Sequence, residues 1–391
     1  MPAAARSQTR QKGFALRLAL FYAALFLAVG VQLPFFPLWL GAKGLDAPSI
    51  GVVLAMPMVV RLFAIPFASH QADRREALRA TLAFAAAASA AAYFVVGLMQ
   101  QPLPIMVACA VAAAFYAPIM SLTDAYAFTG LSAQKRSYGP VRLWGSASFL
   151  VGMIGAGAMI DWIDARQLIW LIVGGSFVTA VAALALSPLG TKTPPVLSGS
   201  ASRHLLRDPA FVAVLAGNAM IQGSHSVYYG FSALQWTAAG FDGKAVAALW
   251  ALGVIAEIAL FAYQSRLPGW MTPLRMILIG AGGAVLRWFA MSLGPPDLLL
   301  PVLQCLHGLS FGCAHLGTLL YVTRSAPSGH AARAQGYQST ALGLGMASGM
   351  AVSGFLYARY GSAAYAAMAF LAAAGGACAL VAQRLHRGVT D

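Results

Sequence analysis

The sequence predicts an all-α membrane protein of twelve transmembrane helices in two six-helix halves, on three observations. Apolar residues make up 60% of the 391 residues and charged residues only 9%, a balance that no soluble domain of this size carries. Twelve stretches are each long and apolar enough to cross a bilayer as helix, which takes about 20 residues. One long polar segment, rich in Pro, Gly and Ser, divides them midway.

The first span, near 14–40, follows a basic stretch as the core of a signal peptide would. It is too long for that role and lacks a clear small-residue cleavage site, so it reads as an uncleaved span. The second and third spans lie near 49–69 and 78–99. The run from Ala80 to Gly97 shows none of the alternating polarity of a barrel strand, which decides for helix. Spans four to six follow near 103–129, 143–160 and 168–187. In the fifth, Gly152, Gly155 and Gly157 permit close helix approach, either as static packing or as a face that slides. The remaining spans lie near 210–236, 245–263, 273–293, 298–321, 334–358 and 363–383. Gly343, Gly345, Gly349 and Gly354 mark a similar small-residue face on the eleventh. Cys109, Cys305, Cys313 and Cys378 all fall inside spans and read as packing thiols rather than disulfides or metal ligands. The expected domains are a six-helix bundle over 1–189, a cytoplasmic linker at 190–209 and a second six-helix bundle over 210–391.

The net charge of +14 invites a nucleic-acid reading, but its placement argues against one. Basic residues gather in alternate loops and at both ends: Arg6, Arg10, Lys12 and Arg17, then Arg74, Arg75 and Arg79, then Lys135, Arg136 and Arg142. Lys192, Arg203 and Arg207, Arg266 and Arg275, Arg324 and Arg333, and Arg384 and Arg387 continue the series. The opposite loops hold only Lys43, Arg166, Lys244 and Arg359. That asymmetry follows the positive-inside rule and places both termini in the cytoplasm.

Pro34-Phe35-Phe36-Pro37-Leu38-Trp39-Leu40 ends the first span. Tyr138-Gly139-Pro140-Val141-Arg142-Leu143-Trp144-Gly145 opens the fifth, and Asp124 stands eighteen residues before Arg142. With Arg287 in the ninth span and Leu306-His307 in the tenth, these segments resemble the oligosaccharide:proton symporters of the lactose permease type. They also resemble the 3-phenylpropionate-permease-like branch of the major facilitator superfamily. The resemblance covers essentially the whole chain. It implies a major facilitator fold, with a substrate site between the halves near mid-membrane and alternating access by rocking. Ala72-Asp73-Arg74 resembles the superfamily's loop motif between the second and third spans, although Glu76 and Ala77 break the pattern. Asp73 and Arg74 are therefore either a gating latch or a solvated topogenic loop.

Ionisable groups in spans are expensive, about 2.5–3.5 kcal/mol each on insertion scales, and mark substrate or proton pathways. Arg61, Asp124, Glu257 and Arg287 are the strong candidates, with Arg142 at the start of the fifth span. Asp124 and Arg142 are expected to pair. The resemblance implies that they bind substrate; the alternative is a structural salt bridge. A guanidinium fork suits a pair of sugar hydroxyls or a carboxylate equally well.

Glu257 lies about 12 residues into its span, so near mid-membrane. Burial favours a neutral carboxyl and a nearby arginine a charged one, a competition that suits a proton carrier. Glu257 is the expected proton site and Arg287 the group that tunes it, with a permanent Glu257–Arg287 pair as the alternative. His307 matches the family's tenth-span histidine, which implies contact with substrate or with the acid of the eighth span. Ser310 stands where the family carries a further acid, which is why the proton is assigned to Glu257, with Asp124 or a histidine as the alternatives.

Arg61 adds a cation that the sugar-permease pattern does not contain; the alternatives are that it snorkels or pairs with Asp124. Phe149, about two turns after Arg142, stands where those permeases carry a stacking tryptophan. Together they favour an aromatic or other carboxylate over a sugar. His225, His315, Asn218, Gln222, Tyr228, Tyr229, Gln32 and Gln304 are further polar candidates.

The function expected is proton-coupled symport of a small organic solute across the inner membrane. The partners are substrate, proton and bilayer, for a monomer with no cofactor, no metal and no nucleic acid. Proton-driven efflux and a solute sensor on a transporter scaffold are the rivals. An enzyme is not expected, since the sequence carries no H-E-x-x-H cluster, no Gly-rich nucleotide loop and no substantial extramembrane domain.

Overall fold

The computed structural model describes residues 3–189, 205–327 and 330–387. Among them the chain is helical and carries no strand. Six long helices come first: α1 (Ala3–Ala42), α2 (Ala47–Arg74), α3 (Leu78–Leu98), α4 (Pro102–Ala133), α5 (Gly139–Ile160) and α6 (Ile169–Leu184). After the linker come α7 (Pro209–Gly223), α8 (Ser226–Ala238), α9 (Gly243–Ala262) and α10 (Pro273–Ser292). α11 (Leu300–Cys305), α12 (Ala314–Ser325), α13 (Ala331–Tyr360) and α14 (Ala364–Arg387) complete the chain. Of the expected linker, 190–204 lies outside the described residues, as do the side chains of Arg6, Arg10, Lys12 and Arg387. At its far end Asp208 caps α7 by accepting the Ala210 N–H at 2.8 Å.

Ten helical stretches among the described residues are long and apolar enough to cross a membrane, and one of them, Arg333–Leu385, takes in most of both α13 and α14. The expected seventh and tenth spans are not continuous helices. The seventh breaks between α7 and α8 at Ser224 and His225. Ser224 Oγ donates to the Ile221 carbonyl at 2.6 Å and accepts Trp288 Nε1–H at 2.9 Å, fixing the break. The tenth is built from α11, a π-helical segment Gly308–Cys313, and α12. π turns are rare and gather at functional sites. Hydropathy cannot reveal the π segment, because an irregularity satisfied inside protein leaves the apolar composition intact.

The chain divides into two compact units. Unit 1 is Met1–Leu45, Val59–Val196 and Gly240–Ala247; unit 2 is Asp46–Met58, Leu197–Ala239 and Ala248–Asp391. These units differ from the bundles 1–189 and 210–391 by exchange of two short segments. Glycine makes both exchanges sterically possible. In unit 2, a Cβ on Gly51 of α2 would meet the Met350 carbonyl of α13 at 2.7 Å, and Gly354 packs on the Ala47 carbonyl. In unit 1, Gly157 of α5 packs on the Gly243 carbonyl of α9, and Asp161 accepts the Gly243 N–H at 2.7 Å.

Inside unit 1, α1 crosses α5 at two glycines. Gly30 packs on the Phe149 carbonyl and Gly152 on the Leu27 carbonyl, so no side chain separates the backbones. Leu18, Phe21, Tyr22, Leu82 and Tyr126 form the buried core beside that crossing. Two of the basic residues read as topology signals also cap a helix. Arg17 donates to the Ala185 carbonyl at 3.3 Å and Arg79 to the Leu184 carbonyl at 3.0 Å, at the C-terminal end of α6.

Candidate functional site

Each unit contains one polar cluster centred on an arginine. In unit 1, α4 carries Asp124 and α5 carries Arg142, but no ion pair joins them among the described residues. Asp124 Oδ1 instead accepts two phenol hydroxyls, Tyr22 at 2.7 Å and Tyr138 at 2.8 Å. The two hydroxyls lie 3.3 Å apart. The Arg142 guanidinium lies 4.0 Å from the Phe26 ring centre and 5.6 Å from that of Tyr22. Cation–π contacts of this kind hold a guanidinium without neutralising it. Gly145, one turn on, leaves the space it occupies: a Cβ there would stand 2.8 Å from Arg142 Nη1.

The expected Asp124–Arg142 pair is thus corrected. Phenols from α1 and from the turn before α5 occupy the carboxylate, and aromatic rings hold the guanidinium. Phe149 is half-buried with its carbonyl against Gly30, and Arg61 is half-buried on α2. Gln32 Nε2 of the first span donates to the Tyr93 hydroxyl at 2.7 Å. Asp73 and Arg74 are exposed at the end of α2.

In unit 2, Arg287 of α10 is fully buried. Its Nη1 donates to His307 Nδ1 at 3.0 Å and to Ser310 Oγ at 3.4 Å, and its Nη2 donates to Gln304 Oε1 at 2.5 Å. The guanidinium carbon lies 4.5 Å from the ring centres of both Tyr228 and Trp288. His307 Nε2 faces Glu257 Oε2 at 3.7 Å, so the direct Glu257–Arg287 pair does not form and His307 stands between the two. The tautomer follows from the partners. An arginine N–H only donates, so His307 Nδ1 accepts and its proton sits on Nε2, toward Glu257.

The same logic orders the far side of the cluster. His225 Nδ1 lies 3.1 Å from the Ile221 carbonyl, which only accepts, so that nitrogen carries the proton. His225 Nε2, 3.1 Å from Ser310 Oγ, therefore accepts the serine proton. Ser310, at the position of the expected acid, is a neutral relay from Arg287 to His225. Glycines again permit the approach: a Cβ on Gly253 would meet His307 Cβ at 3.2 Å, and one on Gly308 would meet the Ala256 carbonyl at 2.9 Å. They bring α9, and so Glu257, against the π segment.

Tyr22 and His225 carry more of the geometry than the sequence suggested. Tyr22 is one aromatic residue in an apolar helix and gives no signal of its own. The polar run Gln222-Gly223-Ser224-His225-Ser226 inside an apolar span was the available signal for His225 and for the break. His315 stacks on Phe311 with ring centres 5.7 Å apart and takes no part in the Arg287 cluster.

Apolar helices enclosing arginine-centred polar clusters define a multi-pass membrane transporter. The MFS_1-like family matches residues 15–369, and the chain belongs to that family of major facilitator transporters. It is 33% identical over 370 residues to a probable 3-phenylpropionic acid transporter of Escherichia coli strain K12, covering 91% of this chain and 94% of that one. It is 26% identical over 347 residues to a maltose permease of Geobacillus stearothermophilus, covering 87% of each. The crystal structure of the nucleoside transporter NupG shares the fold, with a TM-score of 0.82 at 16% identity over 95% of this chain and 99% of that one. The chain is accordingly a secondary transporter of the major facilitator type, acting on a small-molecule substrate, and not an enzyme.

Proposed function

We propose that this transporter couples the uptake of a small organic carboxylate, aromatic for preference, to the entry of a proton by alternating access. In this reading the protein is a monomer in the inner membrane with both termini cytoplasmic, as the charge asymmetry of its loops suggests. The observation that carries it is an imbalance of charge: in each unit an arginine lies near a carboxylate that does not touch it. Arg142 rests on Phe26 and Tyr22 while Asp124 is held by phenols. Arg287 is surrounded by the neutral acceptors His307, Gln304 and Ser310.

A buried cation without an anion is costly, and a substrate carboxylate supplies the missing charge. Arg142 takes the carboxylate bidentately, and the Phe26, Tyr22 and Phe149 rings offer faces for an aromatic substrate. Arg61 adds positive potential on the same unit. Glu257, joined to Arg287 through His307, carries the proton. Its protonation removes the negative charge that faces His307 and so raises the uncompensated positive charge around Arg287, which favours binding of an anion. Proton and anion then travel together without net charge. Asp73 and Arg74 serve as a gating pair at the cytoplasmic loop. The name of the 33%-identical relative agrees with an aromatic carboxylate as cargo.

The test is the pH outside weakly buffered proteoliposomes after addition of 3-phenylpropionate or maltose, with protein-free vesicles correcting for passive entry of the free acid. Symport of the carboxylate alkalinises the medium beyond that control, and maltose gives no signal. Acidification would identify export, and no change with either solute would remove proton coupling.

A further inference from the structure

The two irregular spans of unit 2 are bonded to one another. Gln222, in the last turn of α7, donates from Nε2 to the carbonyl of Phe311 inside the π segment at 3.2 Å. His225, at the break that follows, accepts from Ser310 Oγ of the same segment at 3.1 Å and anchors its other nitrogen on Ile221. Ser310 N–H still makes an α-type bond to the Leu306 carbonyl at 2.8 Å, tying the π segment to the turn that carries His307. A π turn holds one residue more than an α turn, so relaxing it to α geometry turns the residues on one side by about 100°. His307 immediately precedes the segment and Ser310 lies within it, so both depend on that register. Gln222 and His225 are fully buried, and the hydrogen bonds their side chains make outside α7 go to this segment.

We infer that Gln222 and His225 are positioning residues that clamp the tenth span in its π register, so that His307 is held between Arg287 and Glu257. The inference rests on the proton role proposed for Glu257 and adds a cause for the relay's geometry. His225 does not contact Glu257; it acts through Ser310 and the register of the segment. The aromatic packing agrees with a fixed ring position. His225 meets the His307 ring edge-on at 5.4 Å and the Trp288 ring edge-on at 5.0 Å, so its side is closed to a large displacement. If the clamp opens during transport, His307 leaves Glu257, and the link from Arg287 to the carboxylate is broken without any helix having to unwind.

The test uses the full-length protein in lipid and compares His225→Leu, His225→Gln, Gln222→Leu and Ser310→Ala with the parent. Glutamine retains an acceptor for Ser310, whereas leucine removes it. The ring nitrogen shifts of His307, assigned with His307→Gln and read by solid-state NMR, need no substrate. In the parent and in His225→Gln they should report one tautomer, protonated on Nε2. In His225→Leu, Gln222→Leu and Ser310→Ala they should report mixed tautomers.

Transport gives a second readout. Accumulation of 3-phenylpropionate driven by a pH gradient should fall at least about fivefold in the leucine and alanine variants, the loss of about one hydrogen bond. Exchange of the same solute at equilibrium should be unchanged in His225→Leu and Gln222→Leu, and His225→Gln should restore accumulation. An unchanged His307 tautomer in His225→Leu overturns the clamp. So does a parallel fall of exchange and accumulation that glutamine does not rescue, which is the mark of a merely structural role. Failure of the parent to accumulate solute would count against the proton reading, while the NMR result still decides the clamp.

Discussion

At the scale of single residues, the proposed chemistry depends on how four charges are held apart. Arg142 and Asp124 were recognisable from the motif at the start of α5 and the eighteen-residue offset. Their separation was not, because Tyr22 comes from α1 and nothing local marks it as the phenol that takes Asp124. Arg142→Lys keeps the charge and loses the fork, so carboxylate binding should weaken by about 1.5–3 kcal/mol, roughly ten- to hundredfold in Kd. Tyr138→Phe removes one of the two phenols on Asp124 and frees that carboxylate to reach Arg142. It too should weaken anion binding. Calorimetric titration of both variants checks this pair of outcomes, and unchanged affinity in Arg142→Lys would assign the carboxylate to another cation.

At the scale of elements, the long apolar helices were legible because bilayer thickness sets span length so strictly. The π turn at Gly308–Cys313 was not, since a side chain distant in sequence satisfies it, and the polar run around Ser224 marked a break without naming Trp288 as the partner that fixes it. Glycine spacing was informative about close approach but not about partners. Gly152 of α5 meets the backbone of α1 at Leu27, while Gly354 of α13 meets α2 at Ala47. Gly152→Val should therefore separate α1 from α5 and lower stability by about 1–3 kcal/mol through overpacking. Because Phe26 lies on α1 and Arg142 on α5, binding should fall as well; Gly155→Val, where a Cβ meets open space, is the matched control.

A smaller effect belongs to the start of α2. The Ser49 hydroxyl and then the Ser49 N–H hold the Asp46 carboxyl below its usual range. That contribution is complete above the ordinary carboxylate pKa and is lost as pH falls through the depressed folded value. Thermal melts of Asp46→Ala and the parent should accordingly converge at low pH.

At the scale of the whole molecule, the class of protein was readable from composition, basic-loop asymmetry and motif, and the MFS_1-like match over 15–369 agrees. The substrate was not readable, because a guanidinium accepts sugar hydroxyls and carboxylates alike. What favours an anion is a packing fact: the two arginines are held by rings, a histidine, an amide and a hydroxyl rather than by carboxylates. Ser310 shows how sequence comparison and geometry complement each other. Its identity removed an acid from the family pattern, and its position made it a neutral link between Arg287 and His225.

The proton role of Glu257 is the central claim, and the most direct measurement separates gradient-driven accumulation from exchange in Glu257→Gln. Proteoliposomes carrying this variant should bind and exchange 3-phenylpropionate like the parent yet fail to concentrate it under an inward proton gradient. Accumulation at the parent level would contradict the account and move the proton elsewhere.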